Sequence, residues 1–125
     1  METTEFSSSD KKIKWINLTP HNIKIYRGNR VLRNFPTSGE VARIRTQINL
    51  MEIIDGIPIY QRRKLITVGL PKPKKDTIYI VSYLVLAANP KRTDLVSPEA
   101  GFLKIKNKLG LITGVNGFQR IDTHE

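Results

Sequence analysis

The chain is expected to fold as a small strand-rich α+β domain, mostly antiparallel and barrel-like, with one short helix. Three observations carry that expectation. Apolar residues tend to recur at every second position in several short runs, the pattern of half-buried strands. Turn-forming clusters, Gly28-Asn29, Pro36-Thr37-Ser38-Gly39 and Asp55-Gly56, punctuate these runs. After Ser82 the residue types change to Tyr-Leu-Val-Leu-Ala-Ala, which suits a short helix.

Taken in order, residues 1–11 read as a polar disordered tail and residues 12–122 as a single globular domain. Residues 13–16 and 22–27 alternate as strands, joined by Asn17-Leu18-Thr19-Pro20-His21, whose proline cannot donate to a ladder. Gly28-Asn29 turns the chain back through Val31 and Leu32 to Phe35. Residues 36–39 form the next turn and launch residues 41–46, with Arg43 and Arg45 on one face and Ala42 and Ile44 on the other. Residues 48–54 suit either a continued strand or a short helix. Asp55-Gly56 is a turn, and residues 57–66 resume as a strand. Residues 70–76, with Pro71 and Pro73, read as an exposed basic loop. Residues 77–81 are short, β-branched and aromatic, a buried strand; the helix follows Ser82 and stops near Asn89-Pro90. Residues 89–98 read as a polar loop. A final hairpin runs from 102–106 through a turn at 107–110 to 111–121.

Composition narrows the function classes. The 125 residues contain no cysteine, which excludes disulfides and thiolate chemistry and suits a reducing, cytoplasmic location. With two histidines, His21 and His124, and no carboxylate cluster at ligand spacing, neither a metal nor a cofactor is expected. The longest apolar stretch, residues 78–88, is interrupted by Ser82 and falls short of the roughly 20 residues of a spanning helix. The first ten residues lack the basic and apolar regions of a signal peptide. Net charge is +10. Five acids, Glu2, Glu5, Asp10, Asp122 and Glu125, lie at the ends; without them 21 basic residues face 6 acidic ones, a net of +15 for residues 11–121. A domain this basic attracts anions, although surface charge also serves solubility alone.

No Walker loop, dinucleotide fingerprint, nucleophile elbow or zinc-protease motif is present. Polar residues at turns are the remaining candidates. His21 follows Thr19-Pro20, where it locks the turn by hydrogen bonding or faces a ligand. Ser38 and its turn supply hydroxyl and N–H donors, and Arg43 supplies charge, a combination suited to phosphate or carboxylate. Arg92 and Asp94 form an internal ion pair pinning their loop, or Arg92 faces a ligand. Two basic stripes suit a polyanion: Arg62, Arg63 and Lys64 with Lys72, Lys74 and Lys75, and Lys104, Lys106 and Lys108 on the last hairpin. Aromatic interleaving for base stacking is thin there, and lysines also protect exposed strands.

The order of short motifs resembles a family of small uncharacterised proteins found in bacteria, phages and some fungi. The motifs are Asn17-Leu18-Thr19-Pro20-His21, Pro36-Thr37-Ser38-Gly39 with Val41-Ala42-Arg43, Gly69-Leu70-Pro71, Tyr79-Ile80-Val81-Ser82 and Arg92-Thr93-Asp94-Leu95-Val96-Ser97-Pro98. The resemblance spans roughly residues 13–120 and departs from the family in the charge of Lys72, Lys74, Lys75 and the final hairpin. It implies a fold rather than an activity. It gives weight to His21, Ser38, Arg43, Ser82, Arg92 and Asp94 as a shared pocket, and its phage-borne members suggest sequestration of a nucleotide-derived signal.

The expected function is therefore non-enzymatic binding of a small anionic, nucleotide-like ligand. One alternative is a nucleic-acid-binding accessory protein using the lysine-rich strand faces. Another is a small hydrolase or transferase built on His21 with Ser82 or Asp94. No motif specifies the oligomeric state.

Overall fold

The computed structural model describes residues 12–99, 105–106 and 112–122. The expected tail, residues 1–11, and the turn at 107–110 lie outside the described residues. The elements, in chain order, are β1 (Lys14–Asn17), β2 (Ile23–Arg27), β3 (Arg30–Phe35), β4 (Arg43–Ile54), β5 (Ile57–Val68), β6 (Thr77–Ile80), α1 (Tyr83–Ala88), β7 (Leu95–Pro98), β8 (Ile105–Lys106), β9 (Ile112–Gly114) and β10 (Phe118–Gln119). The strand-rich α+β class with one short helix is the observed one.

Among the described residues the strands form a four-stranded sheet, β1-β6-β7-β10, and three two-stranded ribbons, and these do not close into a barrel. The β1–β6 and β6–β7 pairs are parallel, with Trp15 opposite Ile78 and Tyr79 opposite Leu95; β10 is antiparallel to β7. The sheet is therefore mixed, and its two inner strands are covered on both faces. Tyr79, Val81 and Leu95 face a core with Leu18, Ala42, Val85 and Leu86. Ile80 and Val96 face the other way, against Ile23, Ile25, Phe35 and Val115. Burial on both faces explains the unbroken apolar run at residues 78–81. One layer outside the sheet thus contains α1 and the start of β4; the other contains the β2–β3 hairpin.

Residues 95–98 correct the sequence reading, which assigned them to a polar loop: they form β7, with Leu95, Val96 and Ser97 buried. A four-residue inner strand ending in proline has too few positions to show alternation. Residues 111–121 were expected as one strand and instead divide. Ile112–Gly114 pairs with β8, Val115 bridges to Ile25, and Phe118–Gln119 joins β7. Residues 48–54 continue β4 as strand. Asp55 and Gly56, with φ of 53° and 77°, make the two-residue turn whose twist suits a hairpin.

Candidate functional site

The geometry of the site starts at Asn17, the last residue of β1, buried at 3% exposure. Its amide donates to the carbonyls of His21 (2.9 Å) and Phe35 (3.0 Å). Its Oδ1 accepts from the Thr19 backbone N–H (2.9 Å) and the Thr19 hydroxyl (2.7 Å). Both donors and both lone pairs of the side chain are used. One buried side chain therefore closes the Leu18–His21 turn and ties it to the end of β3. Backbone bonds continue the frame: Ser38 N–H donates to the Asn17 carbonyl and Ala42 N–H to the Leu18 carbonyl, both at 3.0 Å. These bonds lay residues 38–42 along the turn and fix where β4 begins.

On the other side stands α1. Ser82 caps it, its hydroxyl accepting from Val85 N–H at 3.3 Å. At the far end, the Asn89 amide donates to Thr67 Oγ1 (2.9 Å) and to the Val85 carbonyl (2.8 Å), fastening the root of β5 to the helix. Between turn, β4 root and helix lies an open cleft of about 320 Å³, lined by Pro20, Val41, Ala42, Arg43, Ile44, Ser82 and Leu84. Arg43 contributes a guanidinium and Ser82 a hydroxyl to walls that are otherwise apolar.

Of the six residues expected to share a pocket, the structure brings Arg43 and Ser82 into this cleft. His21 is exposed directly beside Pro20, one of its walls. The bond expected to lock its turn is made by the His21 backbone rather than its ring. Ser38 is exposed, and its hydroxyl accepts from Glu40 N–H at 3.2 Å.

Arg92 and Asp94 belong elsewhere. Arg92 lines a second cleft, of about 270 Å³, at the opposite end of α1 with Asn89, Pro90, Thr93 and Arg120. Its Nε and one terminal nitrogen donate to the two Asp94 oxygens, each at 2.8 Å, and that nitrogen also donates to the Pro71 carbonyl at 2.9 Å. This is the internal pair among the sequence alternatives, and it joins the basic loop to the entry of β7.

The Arg92 hydrogen bonds hold the Asp94 carboxyl below its usual range against the opposing effect of burial, while Asp94 raises the Arg92 guanidinium. A carboxylate with a depressed folded pKa stabilises fully above its unfolded value of about 3.9, and that contribution fades as pH falls through the folded value. Asp94→Asn is expected to cost about 1–2 kcal/mol at pH 7. Urea unfolding of both proteins should show the gap narrowing as pH falls below the unfolded value of about 3.9 and closing as the wild-type carboxyl, held lower by Arg92, takes up its proton.

Of the residues proposed for polyanion binding, Arg62 and Arg63 are exposed on β5, and Lys72, Lys74 and Lys75 are exposed on their loop. Lys104 and Lys108 lie outside the described residues, and Lys106 is placed on β8. The sequence reading missed an aromatic cleft of about 370 Å³ formed by Trp15, Ile25, Leu32, Arg33, Phe35 and Phe118. Trp15 stacks on Phe118 with centroids 5.6 Å apart, and the Arg33 guanidinium lies 4.8 Å from the Phe35 ring centre. The contributing strands are far apart in sequence; the only local signal was Trp15 in the alternation of β1.

Among the described residues no group of three or more His, Asp or Glu is placed to hold a metal ion, and no helix is long and apolar enough to cross a membrane. No family model, curated protein or solved structure matches the chain.

Proposed function

We propose that the protein binds a small anionic, nucleotide-like ligand without transforming it, in the cleft between the Leu18–His21 turn, the root of β4 and the start of α1. The observation that carries this reading is that Arg43 and Ser82 both line one otherwise apolar cleft. A guanidinium and a hydroxyl at one place suit a phosphate, and Pro20, Val41, Ile44 and Leu84 offer apolar surface to a ring. His21 is close enough in the chain to orient the ligand from the rim. Arg92 and Asp94, engaged with each other at the far end of α1, leave the ligand set. The motifs that carry the resemblance to a bacterial and phage family supply much of this frame, and on that resemblance the role proposed is sequestration of a nucleotide-derived signal.

Native mass spectrometry of freshly purified protein, with absorbance at 260 nm, tests the reading. A discrete co-purifying mass of nucleotide size is expected, and Arg43→Ala should weaken its binding by about 10- to 100-fold, the loss of a charge-assisted contact. Retention of the ligand by Arg43→Ala would defeat the assignment.

A second reading, nucleic-acid binding, is favoured by one observation: Arg45, Arg62, Arg63, Lys72, Lys74 and Lys75 are all exposed. Several phosphate contacts would give a steep loss of affinity with salt, whereas a single-anion cleft gives a shallow one.

A further inference from the structure

The aromatic cleft of Trp15, Phe35 and Phe118 shares none of the residues that line the proposed ligand cleft. Trp15 and Phe118 come from the two outer strands of the four-stranded sheet, β1 and β10, and Phe35 ends β3. Ile25 and Leu32 complete the walls, and Arg33 is the one charged residue among them. Its guanidinium lies 4.8 Å from the Phe35 ring centre and 5.8 Å from that of Trp15. A guanidinium resting on rings still presents its in-plane N–H groups to a carboxylate.

A second open cleft, of about 320 Å³, adjoins the first. Arg27, Arg30, Val31 and Leu32 line it, so Leu32 is a wall of both. The β2–β3 register accounts for this arrangement. Ile23 stands opposite Phe35, Ile25 opposite Arg33 and Arg27 opposite Arg30, and the shift after Ile25 leaves Leu32 as an extra residue. Alternation along β2 puts Ile23, Ile25 and Arg27 on one face, together with their partners Phe35, Arg33 and Arg30. Arg33 therefore stands beside the aromatic cleft with the Arg27–Arg30 pair beyond it, while Lys24 is on the other face.

Charge selects the occupant. Residues 12–39 hold six basic side chains, Lys12, Lys14, Lys24, Arg27, Arg30 and Arg33, all exposed, and no carboxylate. No acidic residue lines either cleft. Arg33 and Arg30, three residues apart on β3, are separated by roughly 10 Å at about 3.3 Å per residue. An extended acidic peptide matches that spacing. One large apolar side chain fills the aromatic cleft, a neighbouring carboxylate meets Arg33, and a carboxylate three residues further on meets Arg27 and Arg30. Two open clefts in series suit such a chain, whereas a small molecule is largely enclosed by its pocket. A nucleobase would need a ring to stack on, and Trp15 is already stacked on Phe118 with Arg33 over Phe35.

We infer that the β2–β3 hairpin and the aromatic cleft beside it form a docking site for an acidic, extended segment of a partner protein that presents one aromatic or large aliphatic side chain. The rings and Leu32 hold the anchor, and the three arginines set the direction and register of the segment.

The single tryptophan makes the test direct, because Trp15 is a wall of the site. The full chain is titrated, up to about 1 mM, with a synthetic serine peptide carrying one phenylalanine, a glutamate beside it and another three residues on, while Trp15 fluorescence is followed. A saturable change is expected, with a dissociation constant below about 100 µM. Exchanging the peptide's glutamates for glutamine, or its phenylalanine for alanine, should weaken binding at least about 10-fold. Arg33→Gln should do the same, as should Arg27→Gln combined with Arg30→Gln, whereas Lys24→Gln on the opposite face should change it by less than about twofold. All four positions are exposed, and circular dichroism checks that each variant is folded. No saturable change at about 1 mM, binding that survives Arg33→Gln, or tighter binding of an oligothymidylate of about ten nucleotides through the same arginines would overturn the inference.

Discussion

Asn17→Ala is expected to destabilise the fold by about 2–4 kcal/mol, enough to lower the melting temperature by roughly 10 °C. Asn17 makes four hydrogen bonds from a buried position, two of them to main-chain carbonyls and one to a main-chain N–H. Alanine fills little of the space and leaves the Phe35 carbonyl and the Thr19 N–H without their partner. Burying such groups unpaired costs more than the bonds themselves contribute, because water no longer reaches them. The damage is directional as well. The turn it closes places Pro20 in the wall of the cleft, so the variant should lose ligand affinity at temperatures where it remains folded. Trp15, the single tryptophan, packs against both Phe35 and Phe118, and its fluorescence follows unfolding directly. Equal stability of Asn17→Ala and wild type would mean that the turn is closed by backbone bonds alone.

Gly69→Ala is expected to cost about as much, for a different reason. The residue leaves β5 with φ at +81°, and a Cβ there would stand 2.6 Å from the Val41 carbonyl oxygen. Strain in the left-handed region costs about 1 kcal/mol for an alanine, and the clash with backbone adds to it. Relief requires moving residues 41–42, which line the cleft, so stability and binding should fall together. Gly56→Ala is the control: its φ is +77° with nothing within 4 Å of the added carbon, so only the strain applies. Thermal unfolding should rank the two variants, with Gly69→Ala the lower by at least about 1–2 kcal/mol.

Much of this architecture was legible in the sequence wherever one physical signal acted locally. The Gly28-Asn29 turn takes positive φ at Gly28 and the Asp55-Gly56 turn at both of its residues, and these are residue types that supply it. Ser82 marked the passage from strand to helix because its hydroxyl can cap and the residues after it favour helix. What escaped was long-range. Leu95-Val96-Ser97-Pro98 looked like loop because an inner strand of four residues shows neither alternation nor length. The mixed sheet was invisible because parallel pairing joins β1 to β6 across some sixty residues. The polar set divided for the same reason. Arg92 and Asp94 pair locally, two residues apart, and so are anchored at the far end of α1, while Arg43 and Ser82 converge only through the packing of β4 against the helix. Asn17 stood in a motif already noted, yet its role needed Phe35, eighteen residues away.

The central claim is that Arg43 and Ser82 form an anion site, and an amide NMR titration tests it most directly. Adding ATP, with pyrophosphate as a smaller probe, should produce saturable shifts at residues 41–44 and 82–84 that are absent in Arg43→Ala and weaken only gently between 50 and 200 mM salt, as roughly one or two displaced counterions require. Shifts that bypass those residues and gather on Arg62, Arg63 and the 72–75 loop, or persist unchanged in Arg43→Ala, would contradict it.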